Sequence, residues 1–357
     1  LRKIYYFGGW HNVDHRLVFL HAGKKNVFSD ILLSVKREEV AHFLPNYWQI
    51  SSEKDKLNIL LLYALWASVA KFYELSNIDG LRSVLYISAP TGTGKTTVAK
   101  VLVKALLKPD GKVGLRFDDT NASLEESLIS NKDRPVLVDD FYAKGSKYED
   151  AVARSKVSNI TRIVGDGAVK GKMGPDRKPL PDRKYRGAVI ATGEYIDLNT
   201  QSSYLRCWVM NFPAKSIFFN ESLGVLQKTS IAKSFLSAWI AYLEKEQVGI
   251  CENLAHWHDE AICQVRKRYP KEYPRFQSNV AAFLVLARLF CNFCQIWELP
   301  IDSGSIISSI WKEADEQLIL LREVSPEQLF KNAVEEALDN AYLRIASNED
   351  SFKNNEY

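Results

Sequence analysis

Residues 84–97 read Val-Leu-Tyr-Ile-Ser-Ala-Pro-Thr-Gly-Thr-Gly-Lys-Thr-Thr, an apolar stretch that runs directly into a glycine-rich turn. Apolar residues at helical spacing follow the turn, between Val98 and Leu106. Gly92 and Gly94 remove side chains that would keep successive backbone N–H groups away from phosphate oxygens. The order of strand, turn and helix therefore predicts a P-loop, with the positive end of the helix facing a bound anion.

The residue types of this loop predict its contacts. Lys95 is expected to reach the β- and γ-phosphates, and the Thr96 hydroxyl to coordinate Mg²⁺. The first position is an alanine in place of the usual glycine. The predicted nucleotide-binding residues are Ala89, Pro90, Thr91, Gly92, Thr93, Gly94, Lys95, Thr96 and Thr97.

The composition is that of an ordinary soluble globular protein with room for two domains: 357 residues, 46% apolar and 25% charged. The net charge of +4 means that a nucleic-acid partner must be held by a local patch. Five cysteines are an odd set, which favours the reducing cytoplasm over a disulfide framework. The longest apolar run, residues 59–69, is too short to cross a bilayer, so no membrane partner is expected.

Further strands are predicted at 113–117, 135–140, 188–192 and 207–212, separated by helical stretches. This alternation favours an α/β fold with a parallel sheet flanked by helices. After about residue 222 the pattern is helical. The expected units are the end of an upstream β-rich domain at 1–50, with a hairpin formed by 3–8 and 16–21, the ATPase core at 51–222, a helical region at 223–345 and a disordered tail at 346–357.

The chain begins at Leu1 without a methionine, and no signal peptide is recognisable, so we expect it to be a piece of a longer protein. The task of the N-terminal hairpin is not readable from the sequence.

The strand at 135–140 ends in Asp139-Asp140. A carboxylate at the end of a strand beside the P-loop can hold Mg²⁺, and we assign this to Asp139. Asp140 then stands where a base would polarise the attacking water, although it is shorter than glutamate. The alternative is a strand followed by an acidic turn.

The strand at 188–192 ends in Thr192-Gly193-Glu194. If this strand lies between the P-loop strand and the Asp139 strand, Thr192 can sense the γ-phosphate and the water together. A threonine that merely ends a strand is the competing interpretation.

Arg206 follows shortly after this strand. It can reach the γ-phosphate of a neighbouring subunit in a ring and stabilise charge in the transition state. The alternative is a surface arginine paired with a local carboxylate.

Residues 162–186 hold eight basic and three acidic side chains, a charge of +5 that exceeds the net charge of the chain. Phosphate contacts dominate affinity for nucleic acids, so this segment predicts a DNA-binding hairpin with Gly171 at its tip. The alternative is a solvated basic loop. The predicted DNA-binding residues are Lys170, Lys172, Arg177 and Lys178.

The order of these motifs, from Ala89–Thr96 through Asp118-Asp119-Thr120, Asp139-Asp140 and Thr192-Gly193-Glu194 to Arg206, resembles the AAA+ ATPase domain of MCM-like, self-loading helicases of bacterial mobile elements, including the staphylococcal cassette-chromosome type. The likeness covers about residues 50–245. It implies ATP and Mg²⁺ as cofactors, handled by Lys95, Thr96, Asp139 and Asp140. It further implies that Thr192 is sensor 1, that Arg206 acts in trans and that the basic hairpin lines a DNA channel.

The resemblance favours a hexameric ATP-driven DNA helicase that acts in element replication. An ATP-dependent loader or assembly switch, which binds DNA or a partner without unwinding, is the alternative. A third possibility is a monomeric small-molecule phosphotransferase.

Overall fold

A computed structural model describes residues 9–13, 16–20, 32, 34–105, 114–117, 119–141, 147–168, 184–194, 196, 198 and 200–340. The strands are β1 Gly9–Val13, β2 Arg16–Leu20, β3 Val84–Ser88, β4 Leu115–Arg116, β5 Pro135–Phe141, β6 Ala188–Gly193 and β7 Cys207–Asn211. The helices are α1 Arg37–Ala41, α2 Phe43–Tyr47, α3 Lys54–Leu75, α4 Lys95–Lys104, α5 Asn121–Ser130, α6 Lys147–Asp166, α7 Gln201–Tyr204, α8 Glu221–Gln227, α9 Thr229–Arg268, α10 Pro274–Ile296, α11 Ser303–Glu323 and α12 Pro326–Asp339.

Five strands form a parallel sheet in the order β4-β5-β6-β3-β7. The predicted sheet is confirmed, and β6 lies between β3 and β5 as the sensor hypothesis requires. Parallel pairing brings the carboxyl ends of these strands to one edge, where the P-loop follows Ser88. That edge is therefore where the predicted catalytic residues can meet.

Helix α3 packs against the sheet, and most of its side chains are buried. Tyr63 of α3 donates a hydrogen bond from its hydroxyl to the Ser83 carbonyl at 2.7 Å and accepts one from the Val189 N–H at 3.1 Å. The start of β3, which leads into the P-loop, and its neighbour β6 are thereby fixed to one helix. Burial of this hydroxyl raises the pKa of Tyr63, so it stays a neutral hydrogen-bonding group.

The chain after β7 is helical, as predicted. Within the described residues one helix, α10, is long and apolar enough to cross a bilayer, with a mean hydropathy of 1.6 over its most apolar window. Of that window 67% is buried against the rest of the protein. Phe290 and Phe293 of α10 pack on Trp239 of α9, with ring centroids 6.5 and 5.4 Å away. Helix α10 is therefore a core helix of the helical region that follows the sheet.

The first strand of the N-terminal hairpin differs in position from the sequence prediction. Strand β1 spans Gly9–Val13 and pairs with β2, whereas residues 3–8 lie outside the described residues. Trp10 is buried: its indole N–H donates to the Ser68 carbonyl at 2.6 Å, and its backbone N–H donates to Asp133 Oδ2 at 2.9 Å. The hairpin therefore packs on α3, and it was not possible to foresee this from a two-strand pattern.

Helix α3 begins after Glu53, whose N–H donates to the Ser51 hydroxyl, and that hydroxyl in turn donates to the Ser216 carbonyl. Residues 326–339, within the stretch predicted to be helical, form helix α12. The tail predicted at 346–357 lies outside the described residues.

Candidate nucleotide-binding site

The P-loop turn adopts the backbone conformation that its glycines permit. Gly92 and Gly94 have φ of +80° and +97°, in the left-handed region that disfavours other residues. The Thr93 hydroxyl donates to the Pro90 carbonyl at 2.7 Å and closes the turn from within. A Cβ on Gly94 would lie 2.9 Å from the ring of Phe219. Gly94 directly precedes helix α4, so the turn leads into the positive end of that helix.

Asp139 is the centre of a polar cluster built from three elements. Its Oδ1 accepts hydrogen bonds from the Thr96 hydroxyl of α4 at 2.8 Å and from the Thr192 hydroxyl of β6 at 2.5 Å. The Nζ of Lys100, one turn further along α4, lies 3.8 Å from Oδ2. The structure thus brings together three of the residues predicted from separate motifs, and adds Lys100.

A hydroxyl and a carboxylate at this distance are suitable ligands for Mg²⁺, which prefers oxygen and is held by few protein groups together with substrate phosphates. The described residues contain no cluster of three or more His, Cys, Asp or Glu side chains that would form an all-protein metal cage. Thr96 and Asp139 therefore fit a nucleotide-bound magnesium ion. Lys95 is the first residue of α4, and its side chain is half-buried.

Two further residues of the predicted nucleotide-binding set are placed by contacts with neighbouring elements. Ala89 is buried, and its N–H donates to the Gly193 carbonyl at 3.2 Å, which ties the loop to β6. Thr97 lines a cavity of about 160 Å³ between α4 and α8, together with Lys100 and Leu226. Asp140 continues β5, and its side chain lies outside the described part of the structure.

Glu194 bridges the end of β6 and the P-loop. Its carboxylate Oε1 accepts a hydrogen bond from the hydroxyl of Thr91, and its backbone carbonyl accepts one from the Ser88 hydroxyl at 2.9 Å. Glu194 itself is exposed to solvent. The sequence pattern includes Glu194 in the motif after β6 but predicts no role for it, because its hydrogen-bond partner depends on how β6 pairs with β3.

Phe219 was missed by sequence reasoning. Its side chain is 69% exposed, an unusual state for phenylalanine, and it contacts the P-loop at Gly94. The segment that carries it is fixed by a bridge between Ile217 and Ser51 and by a hydrogen bond from the Phe218 N–H to the Ile50 carbonyl at 2.8 Å. Two consecutive phenylalanines in the loop after the last strand were the available signal.

Arg206 lies at the opposite edge of the sheet. It precedes β7, whose first residue pairs with Val84, whereas the P-loop follows Ser88. Four strand residues separate the two edges, about 13 Å at about 3.3 Å per residue. Within this chain Arg206 donates to the Ser202 hydroxyl at 2.6 Å and to Asp166 Oδ1 at 3.1 Å. The local carboxylate partner of the alternative interpretation is therefore present.

The predicted DNA-binding residues Lys170, Lys172, Arg177 and Lys178 lie outside the described residues. The flanks of their segment are described: Ala168 and Lys184 form an antiparallel bridge, and the Tyr185 N–H donates to the Gly167 carbonyl at 2.8 Å. The two ends of the segment thus meet on the side of the sheet where Arg206 lies.

Sheet order and motif positions together define an α/β fold of the P-loop AAA+ type, followed by a helical region. No model of a known protein family matches the chain. No curated protein matches it either.

Among solved structures, the active helicase Cch of SCCmec type IV is similar with a TM-score of 0.63 at 13% sequence identity, over 86% of this chain and 56% of that chain. This likeness is one of fold, and this chain spans little more than half the length of that helicase. Two further likenesses are weak: the inhibitor-bound JCV helicase (TM-score 0.34, 14% identity, 71% of this chain and 66% of that chain) and the C-terminal region of NrS-1 (TM-score 0.36, 13% identity, 84% of this chain and 76% of that chain).

Proposed function

We propose that this chain is the ATPase motor of a DNA helicase that acts in the replication of a mobile element. ATP is bound with Mg²⁺ at the carboxyl edge of the sheet, and its hydrolysis moves DNA through a ring, taken to be a hexamer. The observation that carries the proposal is the cluster in which Thr96 and Thr192 both donate to Asp139 beside the P-loop.

Each residue has a role that follows from its position. Lys95 would neutralise charge on the β- and γ-phosphates, while Thr96 and Asp139 would hold a magnesium ion, which when bound supplies electrostatic stabilisation of the transferred phosphoryl group. Thr192 reports the state of this site to β6. None of these groups needs to form a covalent bond, because hydrolysis of ATP is catalysed by positioning and by charge.

The ring is supported by the place of Arg206 at the edge opposite its own P-loop. An arginine there serves hydrolysis only in a copy that packs against this edge. The Arg206–Asp166 contact is then the resting arrangement, and a neighbouring γ-phosphate competes for the guanidinium. The basic segment 169–183, whose described flanks Ala168 and Lys184 lie on the same side, would contact DNA.

The test is ATP turnover and unwinding of forked DNA by the full-length protein, compared with Lys170→Ala/Lys172→Ala and with Lys95→Ala. We expect DNA to stimulate turnover, the double variant to lose DNA affinity and unwinding, and Lys95→Ala to lose turnover. Turnover without any strand separation by the full-length protein would favour the loader or switch. A protein that stays monomeric with nucleotide and DNA would contradict the ring.

A further inference from the structure

Glu194 has a carboxylate at the nucleotide site that the proposed function does not use. It follows β6, the strand between the P-loop strand and the Asp139 strand, and lies two residues beyond Thr192. Its Oε1 accepts a hydrogen bond from the hydroxyl of Thr91, which lies within the P-loop itself. A solvent-exposed carboxylate is thus held against the loop that receives the phosphates.

We infer that Glu194 is the catalytic base of ATP hydrolysis, an inference that rests on the proposed function. A base must stand within hydrogen-bond reach of the water that attacks the γ-phosphorus. Asp139 is unsuited to this, because its Oδ1 already accepts two hydroxyl hydrogen bonds and lies beside the ammonium group of Lys100. Glu194 is exposed, so its other oxygen can meet solvent water.

The step balances without a further reactant. Water oxygen forms a bond to the γ-phosphorus while the bond from that phosphorus to the β,γ-bridging oxygen breaks, which leaves ADP and inorganic phosphate. The proton that the water loses passes to the Glu194 carboxylate and then to solvent. The carboxylate that the sequence pattern favours for this role, Asp140, is one methylene shorter.

Two features of the chain give the carboxylate its position. The Ser88 hydroxyl donates to the Glu194 carbonyl at 2.9 Å, and the register pairs Ser88 with Gly193. The backbone of Glu194 is therefore fixed to the strand that leads into the P-loop. Thr91 then orients the side chain, which makes Thr91 a positioning residue and not a catalytic one.

The test compares Glu194→Gln with wild type in the full-length protein. Glutamine keeps an acceptor for the Thr91 hydroxyl but cannot take a proton, so a residue that only holds the loop would tolerate the change. We expect kcat to fall by about 100-fold or more, the range for loss of a general base. The affinity for a fluorescent ATP analogue should stay within about threefold, since glutamine keeps the Thr91 contact and phosphate binding does not need the negative charge. Protein reisolated after incubation with ATP should release intact ATP on denaturation, where wild type releases ADP.

Three further variants make the result decisive. Thr91→Val removes the contact but keeps the base, and should lower kcat less than Glu194→Gln does. Glu252→Gln, the same change on the exposed face of α9, should behave as wild type. The kcat of Asp140→Asn shows how much the competing carboxylate of Asp140 contributes to hydrolysis.

Loss of a general base lowers kcat by about 100-fold or more. A smaller fall in Glu194→Gln, relative to wild type, would overturn the assignment whatever the kcat of Asp140→Asn. If wild type turns over no more ATP than Lys95→Ala, the proposed function fails and the assignment fails with it. If wild type and Glu194→Gln hydrolyse ATP at equal rates, the assignment of Glu194 as catalytic base fails while the proposed function stands.

Discussion

The hydroxyl of Thr192 lies 2.5 Å from Oδ1 of Asp139, which joins the ends of strands β6 and β5 directly beside the P-loop. Thr192 is fully buried, so this hydroxyl has little access to water. The contact links the strand that would sense the γ-phosphate to the carboxylate that would hold the metal. Loss of either partner should therefore affect the other.

Replacing Thr192 by Val keeps the shape of the side chain and removes the hydroxyl. A hydrogen bond to a charged group contributes about 1.5–3 kcal/mol, so we expect ATP turnover to fall about 10- to 100-fold. Thr192→Ser should retain most of the activity. Equal turnover in Thr192→Val and wild type, measured as phosphate release, would show that the contact serves the fold and not hydrolysis.

Asp139→Asn should act through magnesium. The amide is a poorer ligand for Mg²⁺ than a carboxylate, so affinity for ATP in the presence of Mg²⁺ should fall. Affinity for ATP in EDTA should stay equal or rise, because a negative charge near the phosphates is gone. Titration of a fluorescent ATP analogue under both conditions checks this, and a parallel loss in EDTA would indicate a distorted P-loop instead.

The sheet and the centre of the site were predictable because they depend on local patterns. Apolar runs that end in Asp139 and in Thr192 indicate parallel strands, and parallel strands bring their polar ends to one edge. The P-loop is equally local, since its glycines, lysine and threonine follow one another in the chain. Contacts between Asp139 and both threonines follow from these patterns once β6 lies between β3 and β5.

Contacts that depend on register or on distant loops were not predictable. Glu194 meets Thr91 only because Ser88 pairs with Gly193, and a one-residue shift would turn the side chain to the other face. Phe219 reaches Gly94 through a loop whose path depends on the bridge from Ile217 to Ser51. The hairpin strand at 9–13 is fixed by burial of Trp10 against α3, which no short alternating pattern reveals.

Phe219 should hold the base of the nucleotide. Its exposed ring contacts the P-loop where α4 begins, and stacking of a base on an aromatic ring contributes about 1–3 kcal/mol. We expect Phe219→Ala to weaken ATP binding about tenfold, at 1.4 kcal/mol per factor of ten, and Phe219→Trp to preserve it. Inorganic tripolyphosphate, which has no base, should bind the alanine variant and wild type equally. Equal weakening for both ligands would mean that Phe219 only supports the turn at Gly94.

Arg206 should act in a neighbouring copy. Arg206→Ala is expected to lose most ATP turnover, by about 10³-fold or more for an arginine finger, while each subunit still binds ATP. Mixing this variant with Lys95→Ala should partly restore turnover, because some interfaces then join an intact P-loop to an intact arginine. Asp166→Asn removes the local partner of Arg206 and should leave turnover within about threefold, since an exposed ion pair contributes about 1 kcal/mol or less. No recovery on mixing would support the purely local pairing.

The interface of α3 and α11 should make stability depend on pH. Glu313 is buried, its Oε1 lies 3.1 Å from Lys56 Nζ, and its Oε2 has no hydrogen-bond partner among the described residues. Burial raises the pKa of Glu313 from 4.5 to about 7, although Lys56 opposes this. Burial also lowers the pKa of Lys56, but Glu313 and Glu316 raise it further, so the lysine stays charged.

Because the pKa of Glu313 is higher in the folded state, its stabilising effect is complete below pH 4.5 and is lost as the pH rises through about 7. Glutamine at this position does not titrate. We therefore expect the free energy of unfolding of Glu313→Gln, relative to wild type, to rise by about 2–3 kcal/mol between pH 5 and pH 8, at about 1.4 kcal/mol per pH unit up to the folded pKa. Urea unfolding at each pH measures this, with Glu252→Gln as the control for an exposed glutamate. Parallel curves for wild type and Glu313→Gln would mean that Lys56 keeps the carboxylate ionised throughout, and that the pair is held as two charges.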